Sequence, residues 1–228
     1  MPMKFVRPDF SDYVVHFTKD DKPIGHKDET NSEIRKIADQ NALARLLSIL
    51  QQKKLRATRM PWTNKPAVCF TECTWSSLMD HANRYSRYGL GFSKGYLFSR
   101  GGGPAIYLTP SLMEHQKQHV GNNLEPFDLK LFAFVTPFCP PYAPREYKER
   151  FWHGKKTIDF THEREWRVPH DLDFKLKDVA FVIVARYEDM AQAPKPLKDA
   201  TGRENWLLMD NYEKIEQTWP VHRLPDSA

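Results

Sequence analysis

Three places in the chain carry residue types whose spacing could do chemistry. The first is His16-Phe17-Thr18. Alternate side chains of an extended strand share a face, so His16 and Thr18 would project together. They sit in Tyr13–Thr18 (YVVHFT), an otherwise apolar stretch, where a polar pair is costly to bury unless it is hydrogen-bonded. The pair is either satisfied near a strand end or grips a hydroxyl or amide of a ligand. The second place is His162-Glu163-Arg164-Glu165-Trp166-Arg167-Val168. Read as a strand, it puts Glu163, Glu165 and Arg167 on one face and Arg164, Trp166 and Val168 on the other. Two carboxylates two residues apart repel, and Arg167 is placed to offset that. The segment is either an exposed edge strand with alternating charge or the support of a carboxylate that stabilises positive charge in a ligand or transition state. The third place is Cys69-Phe70-Thr71-Glu72-Cys73. This is not the usual zinc spacing and no second pair follows, so Cys69 reads as a small buried hydrophobe. His115 and His119 stand at i and i+4 on a predicted helix without a third ligand, and no metal site is expected.

Positive charge is unevenly placed. Of the 228 residues, which sum to +5, the stretch from Gln51 to Met113 holds nine cations and two acids. Such a concentration is either a solvated face or an attraction for phosphates, on a nucleotide or on nucleic acid. Arg56 and Arg59 lie in it. Further along, Tyr142–Thr161 interleaves Lys148, Arg150 and Lys155 with Tyr147, Phe151 and Trp152. Cations among aromatics suit phosphate contact with base stacking, or else form a charged loop pinned by its rings.

The elements that must position these residues follow from pattern. Leu43, Leu46, Leu47 and Leu50 recur at helical spacing, which predicts a helix over Asp39–Lys54 with Asp39 as its cap. Short strands are predicted at Leu55–Ala57, Ala67–Thr71, Gly89–Phe92, Ala105–Leu108, Leu129–Val135, Glu165–Val168 and Val179–Ala185. Gly101–Gly103 reads as a flexible link. Serine caps predict helices from Ser76 or Ser77 to about Tyr85 and over Ser111–His119. The tail from Trp206 is expected to pack back onto the sheet. Strands and helices do not alternate strictly, so the fold class is α+β rather than a doubly wound sheet. No glycine-rich dinucleotide loop, phosphate loop or nucleophile elbow occurs.

The length fits one domain, 1–228, with a core over about 13–185 and an extension over 186–228 packing on it. Three sparse cysteines argue against a disulfide framework and for a reducing compartment. No apolar run approaches a membrane span, and the opening MPMKFVRPDF lacks the apolar stretch of a secretory signal. A cytoplasmic location without membrane partners is the expectation.

The order of these elements resembles the ADP-ribosyltransferase fold, a split mixed β-sheet with flanking helices. His16-Phe17-Thr18, the Leu46–Leu50 helix and Leu55-Arg56-Ala57 resemble the start of DarT-type transferases, with Lys54 where a glycine is usual. Cys69-Phe70 followed by Ser77 and Tyr85 is similar to that family's second block. The resemblance implies NAD as substrate: Glu165 as catalytic glutamate with Glu163 beside it, and His16 on a ribose, supported by Thr18. It further implies Ser77 on the nicotinamide amide, Tyr85 stacked on its ring, and Arg56 or Arg59 at the pyrophosphate. Lys148, Trp152 and Arg167 are expected at the acceptor, with nucleic acid favoured over protein. The family's second strand often carries a tyrosine where this chain has Cys69 and Phe70.

A second resemblance spans about Tyr13 to Pro169. Arg87-Tyr88-Gly89-Leu90-Gly91-Phe92-Ser93-Lys94, Ala105-Ile106-Tyr107 and Glu163-Arg164-Glu165-Trp166-Arg167 are similar to the AbiGi-type abortive phage-resistance family. That resemblance implies an antitoxin of a two-gene phage-defence system, with a cognate toxin as partner. Two functions follow as expectations: an NAD-dependent ADP-ribosyltransferase of a defence system, or a catalytically inactive antitoxin or sensor of the same fold.

Overall fold

A computed structural model describes residues 11–20, 40–72, 82, 84–120, 126–144 and 157–211. Its frame is a mixed sheet. Strand β1 (Tyr13–Phe17) turns Val14 to one face and Val15 and Phe17 to the other, and all three are buried. It lies antiparallel to β5 (Gly89–Ser93) over its whole length, from Tyr13 opposite Ser93 to Phe17 opposite Gly89. On the far side of β5 comes β11 (Phe181–Val184), antiparallel, and then β12 (Trp206–Leu208), parallel to β11. β5 can be sandwiched so closely because it carries glycine: a Cβ at Gly91 would collide with the Phe181 ring.

On the other side of β1 stand β4 (Pro66–Thr71), β9 (Glu165–Val168) and β6 (Gly103–Pro104), with β3 (Thr58–Arg59) also paired to β4. Two short pairs lie apart from this sheet. β2 (Lys54–Leu55) meets β10 (Leu172–Asp173), and β7 (Ile106–Leu108) runs parallel to β8 (Val135–Pro137).

Helix α1 (Ala42–Gln52) covers the Val14 face with Leu46, Ile49 and Leu50. Its cap is Asn41, two residues beyond the predicted one, and the Asn41 side chain accepts the Ala44 amide at 2.8 Å; Asp39 lies outside the described residues. It stops where Lys53 turns left-handed at φ 54°. The Leu129–Val135 strand expectation is corrected. Most of it is the end of helix α4 (Pro126–Phe134), and β8 begins at Val135. Phe132 and Ala133 are both buried beside an exposed Leu131, a helical and not an alternating pattern. Helices α2 (Lys94–Ser99, capped by Ser93) and α3 (Pro110–Val120) complete this half.

One further correction concerns a link. Gly103–Pro104 is not a free link but the sheet's edge strand on β9. Beyond residue 185 the chain forms α5 (Tyr187–Gln192) and α6 (Lys195–Thr201) and returns as β12, a member of the sheet. The fold class is α+β, as the element order predicts. Among the described residues no helix is long and apolar enough to cross a membrane.

Candidate functional site

β1 and β4 meet through one registered pair, Val15 with Thr71, and then part. The gap between them is a cleft of about 470 Å³. Consecutive residues of both strands, Val15 to Lys19 and Ala67 to Thr71, line it, so it opens along the strand edges rather than on one face. Parting strands leave backbone groups without ladder partners. His16 supplies one: its Nδ1 lies 2.9 Å from the Cys69 carbonyl, which makes Nδ1 the protonated nitrogen. The ring packs edge-on against Phe70 at 5.8 Å. Burial holds His16 below the usual histidine range. The Cys69 carbonyl opposes this shift, and the nearby Arg45 charge adds to it. At neutral pH the ring is therefore uncharged, and Nε2 is an acceptor.

Thr18 also lines the cleft, but its hydroxyl is committed to structure. It donates to the Ala42 carbonyl at 2.9 Å and ties the end of β1 to the start of α1.

The carboxylate end is built by β9. Register pairs Cys69 with Arg167 and Thr71 with Glu165, which puts these four side chains on one face, the face opposite Phe70 and Trp166. Arg167 grips Glu165 in a fork: Nε donates to Oε1 at 2.9 Å and Nη2 to Oε2 at 2.7 Å. The same guanidinium donates to the carbonyls of Ala133 and Val135 and to the Thr136 hydroxyl. Arg167 is 1 % exposed and does not line the cleft. The expectation that it meets a substrate is corrected, since its donors are spent on Glu165 and on the end of α4.

Glu163 stands outside the strand. It closes the 3₁₀ turn Thr161–Glu163, and Arg164 at φ 44° breaks the alternation before β9 begins. Both carboxylates still line the cleft. Tyr85 stands beside Glu163 in the cleft, and its ionisation is pushed up by burial and then by Glu163. Burial raises the Glu163 carboxyl above the usual range, and the Glu165 charge adds to this while Tyr85 opposes it. Cys69 reaches the cleft beside Met60, Sγ to Sδ 3.6 Å. Burial, and then Glu165, push its thiol up, so it is a protonated packing group and not a nucleophile.

The cationic end holds Arg45, Lys54, Arg56 and Arg59. Arg56 lies 3.3 Å from Asp171, and Lys54 lies 3.1 Å from Asp173. Arg59 donates to the Asn64 carbonyl from an exposed position. Elsewhere in the basic stretch, Arg87 meets Asp210 and Lys94 meets Glu72. The concentration of positive charge seen in sequence is thus partly neutralised by acids from distant segments.

Seven residues singled out in sequence meet at this cleft: His16, Thr18, Arg56, Arg59, Tyr85, Glu163 and Glu165. Ser77, Lys148 and Trp152 lie outside the described residues. Sequence reasoning missed Lys19 and Arg45. Arg45 had a readable signal, a cation on the apolar stripe of α1 beside Leu46 and Ile49, where it is 8 % exposed. Among the described residues no group of three His, Cys, Asp or Glu could hold a metal ion.

Residues 47–208 match one protein family, described as "Putative abortive phage resistance protein AbiGi, antitoxin". The chain belongs to the AbiGi family. No curated protein matches it, and no solved structure does. The AbiGi match includes the carboxylate end, Tyr85, Arg56 and Arg59, whereas His16, Thr18, Lys19 and Arg45 precede it. Six of the 22 residues that line the cleft therefore lie outside the matched range.

The Glu163 environment carries a prediction for this AbiGi chain. A carboxyl whose ionisation is raised on folding binds protons more tightly folded than unfolded, so its ionised form opposes folding near neutral pH. Glu163→Gln removes that charge. The expected outcome is a gain of a few tenths to about 1 kcal/mol at pH 7, shrinking as pH falls and the wild-type carboxyl protonates. Urea midpoints at pH 7 and pH 4.5 check it, and a gain that grows towards acid contradicts it.

Proposed function

We propose that this chain is the antitoxin of an abortive-infection pair, a module that holds a nucleotide-type ligand in the β1–β4 cleft without cleaving it. The observation that carries the reading is the forked Glu165–Arg167 pair. A carboxylate that must follow charge developing on a ribose works best when its oxygens can turn to the reacting centre. Here both oxygens of Glu165 accept from a buried guanidinium that is itself anchored at three further points. Family membership supports the antitoxin role and a cognate toxin as partner. The neighbouring Cys69, where transferases of similar pattern often keep a tyrosine, supports the loss of turnover.

The second reading is an NAD-dependent ADP-ribosyltransferase of a defence system. It is favoured by the convergence of His16, Tyr85, Glu163 and Glu165 on one cleft. Its acceptor would be nucleic acid, met by Lys148 and Trp152.

One experiment separates the two. Purified wild-type protein and Glu165→Gln are incubated with NAD, alone and with single-stranded nucleic acid, and nicotinamide release is followed. The antitoxin reading expects release at background for both proteins, and relief of toxicity when the chain is co-expressed with its neighbour-encoded partner. Wild-type release at least a hundredfold above Glu165→Gln would establish the transferase instead.

A further inference from the structure

The Tyr85 ring is the one aromatic of the cleft on which a ligand ring was expected to stack, and the chain already covers it. Phe17 lies nearly parallel to it, with centroids 6.0 Å apart and planes 11° apart. The Lys19 ammonium sits 4.0 Å from the ring centroid. That is the place a stacked cationic ring would take, because the electron-rich face of tyrosine attracts positive charge whatever carries it. Lys19 is also among the charges acting on Glu163, which lines the cleft with Tyr85. The features that would welcome a pyridinium at this end, an aromatic face with a carboxylate beside it, are thus both answered by a lysine of the chain. Lys19, Tyr85, Phe17 and Glu163 all line the same cavity. At its other end the cations outnumber the carboxylates, which suits a diphosphate.

We infer that Lys19 sets the charge preference of the cleft. It disfavours dinucleotides that carry a cationic ring and favours diphosphate ligands that lack one. This rests on the reading that the cleft takes a nucleotide-type ligand. To stack on Tyr85, an oxidised nicotinamide must displace the ammonium or lie against it, like charge on like. A neutral dihydronicotinamide, or the bare ribose end of ADP-ribose, meets no such repulsion. The site therefore holds a spent or reduced form of the dinucleotide in preference to the oxidised one.

The test is calorimetric titration of the full chain with NAD⁺, NADH and ADP-ribose at fixed ionic strength, for wild type, Lys19→Met and Lys19→Arg. Wild type is expected to bind NADH and ADP-ribose at least tenfold more tightly than NAD⁺. Lys19→Met, an exposed substitution, should bring the three within about threefold by raising NAD⁺ affinity. Lys19→Arg keeps the charge and should keep the preference. If wild type binds the three ligands but Lys19→Met leaves their ratios unchanged, the inference about Lys19 is overturned and the nucleotide cleft stands. If wild type binds none of them, the nucleotide reading fails and this inference with it.

Discussion

Arg167→Met is expected to lower the unfolding free energy by about 3–5 kcal/mol, the cost of leaving a buried carboxylate without its partner. Arg167 is among the largest fully buried side chains of the protein, and it donates to five acceptors. Two of these are the Glu165 oxygens. The others are the Ala133 and Val135 carbonyls, where α4 gives way to β8, and the Thr136 hydroxyl. Removing the guanidinium therefore orphans a charge and frees the junction that lies over β9. Urea unfolding at pH 7 measures the loss. The double variant Glu165→Leu/Arg167→Met separates the charge from the junction. It removes the orphaned carboxylate and should recover about half of the loss or more, because apolar replacement of a buried pair is often close to neutral. A double variant as unstable as Arg167→Met alone would show that the junction, not the pair, is what Arg167 maintains.

The same pair explains why the acidic end of the cleft is less acidic than its two glutamates imply. Glu165 is compensated from beneath by Arg167, and Glu163 faces Lys19 and Tyr85. At the other end, Asp171 and Asp173 draw on Arg56 and Lys54. The cleft is thus a graded field, and a ligand must compete with contacts the protein already makes at both ends. For the proposed nucleotide-type ligand, binding under such competition would be selective for charge and would leave Glu165 little freedom for bond cleavage.

What the sequence could tell divides along physical lines. His16, Glu163 and Glu165 stood out because each breaks a local pattern, a polar residue in an apolar strand or paired carboxylates before a tryptophan, whereas Tyr85 was named only through the family resemblance. The strands holding His16 and Glu165 were legible from β-branched and aromatic runs. Leu129–Val135 was not, since Leu129, Leu131, Ala133 and Val135 satisfy a period of two while Leu129, Phe132 and Ala133 stand at the helical spacing i, i+3 and i+4. Only packing against β4 and β9 decides between them. The fork from Arg167 to Glu165 was partly legible as an offset of like charges, but its burial was not, because the acceptors lie some thirty residues away on α4 and β8. The basic stretch misled for the same reason: its counter-charges Asp171, Asp173 and Asp210 are distant in sequence.

His16→Leu is expected to destabilise the protein by about 1–3 kcal/mol at pH 8, the cost of removing a buried carbonyl's partner, and by less at pH 5. His16 is the direct side-chain bond across the parting strands, from β1 to the Cys69 carbonyl of β4. Its folded-state ionisation is depressed, chiefly by burial and further by Arg45. Below about pH 6.5 the unfolded chain takes up a proton at this histidine that the folded chain resists. The unfolded state then binds more protons, so wild-type stability falls with acid, by at most about 1.4 kcal/mol per pH unit for one group. The leucine variant has no such proton to take up. Its deficit should therefore be largest at pH 8 and narrow towards pH 5, as urea unfolding across that range would show. A deficit that widens in acid would mean that His16 is held charged, against the neutral Nδ1–H ring that burial favours. A ligand that donates a hydrogen bond to Nε2 needs that same neutral ring. The contribution of that bond to the wild-type protein should therefore persist through the interval in which stability falls, fade only in stronger acid where the folded histidine itself takes up a proton, and be absent from His16→Leu throughout.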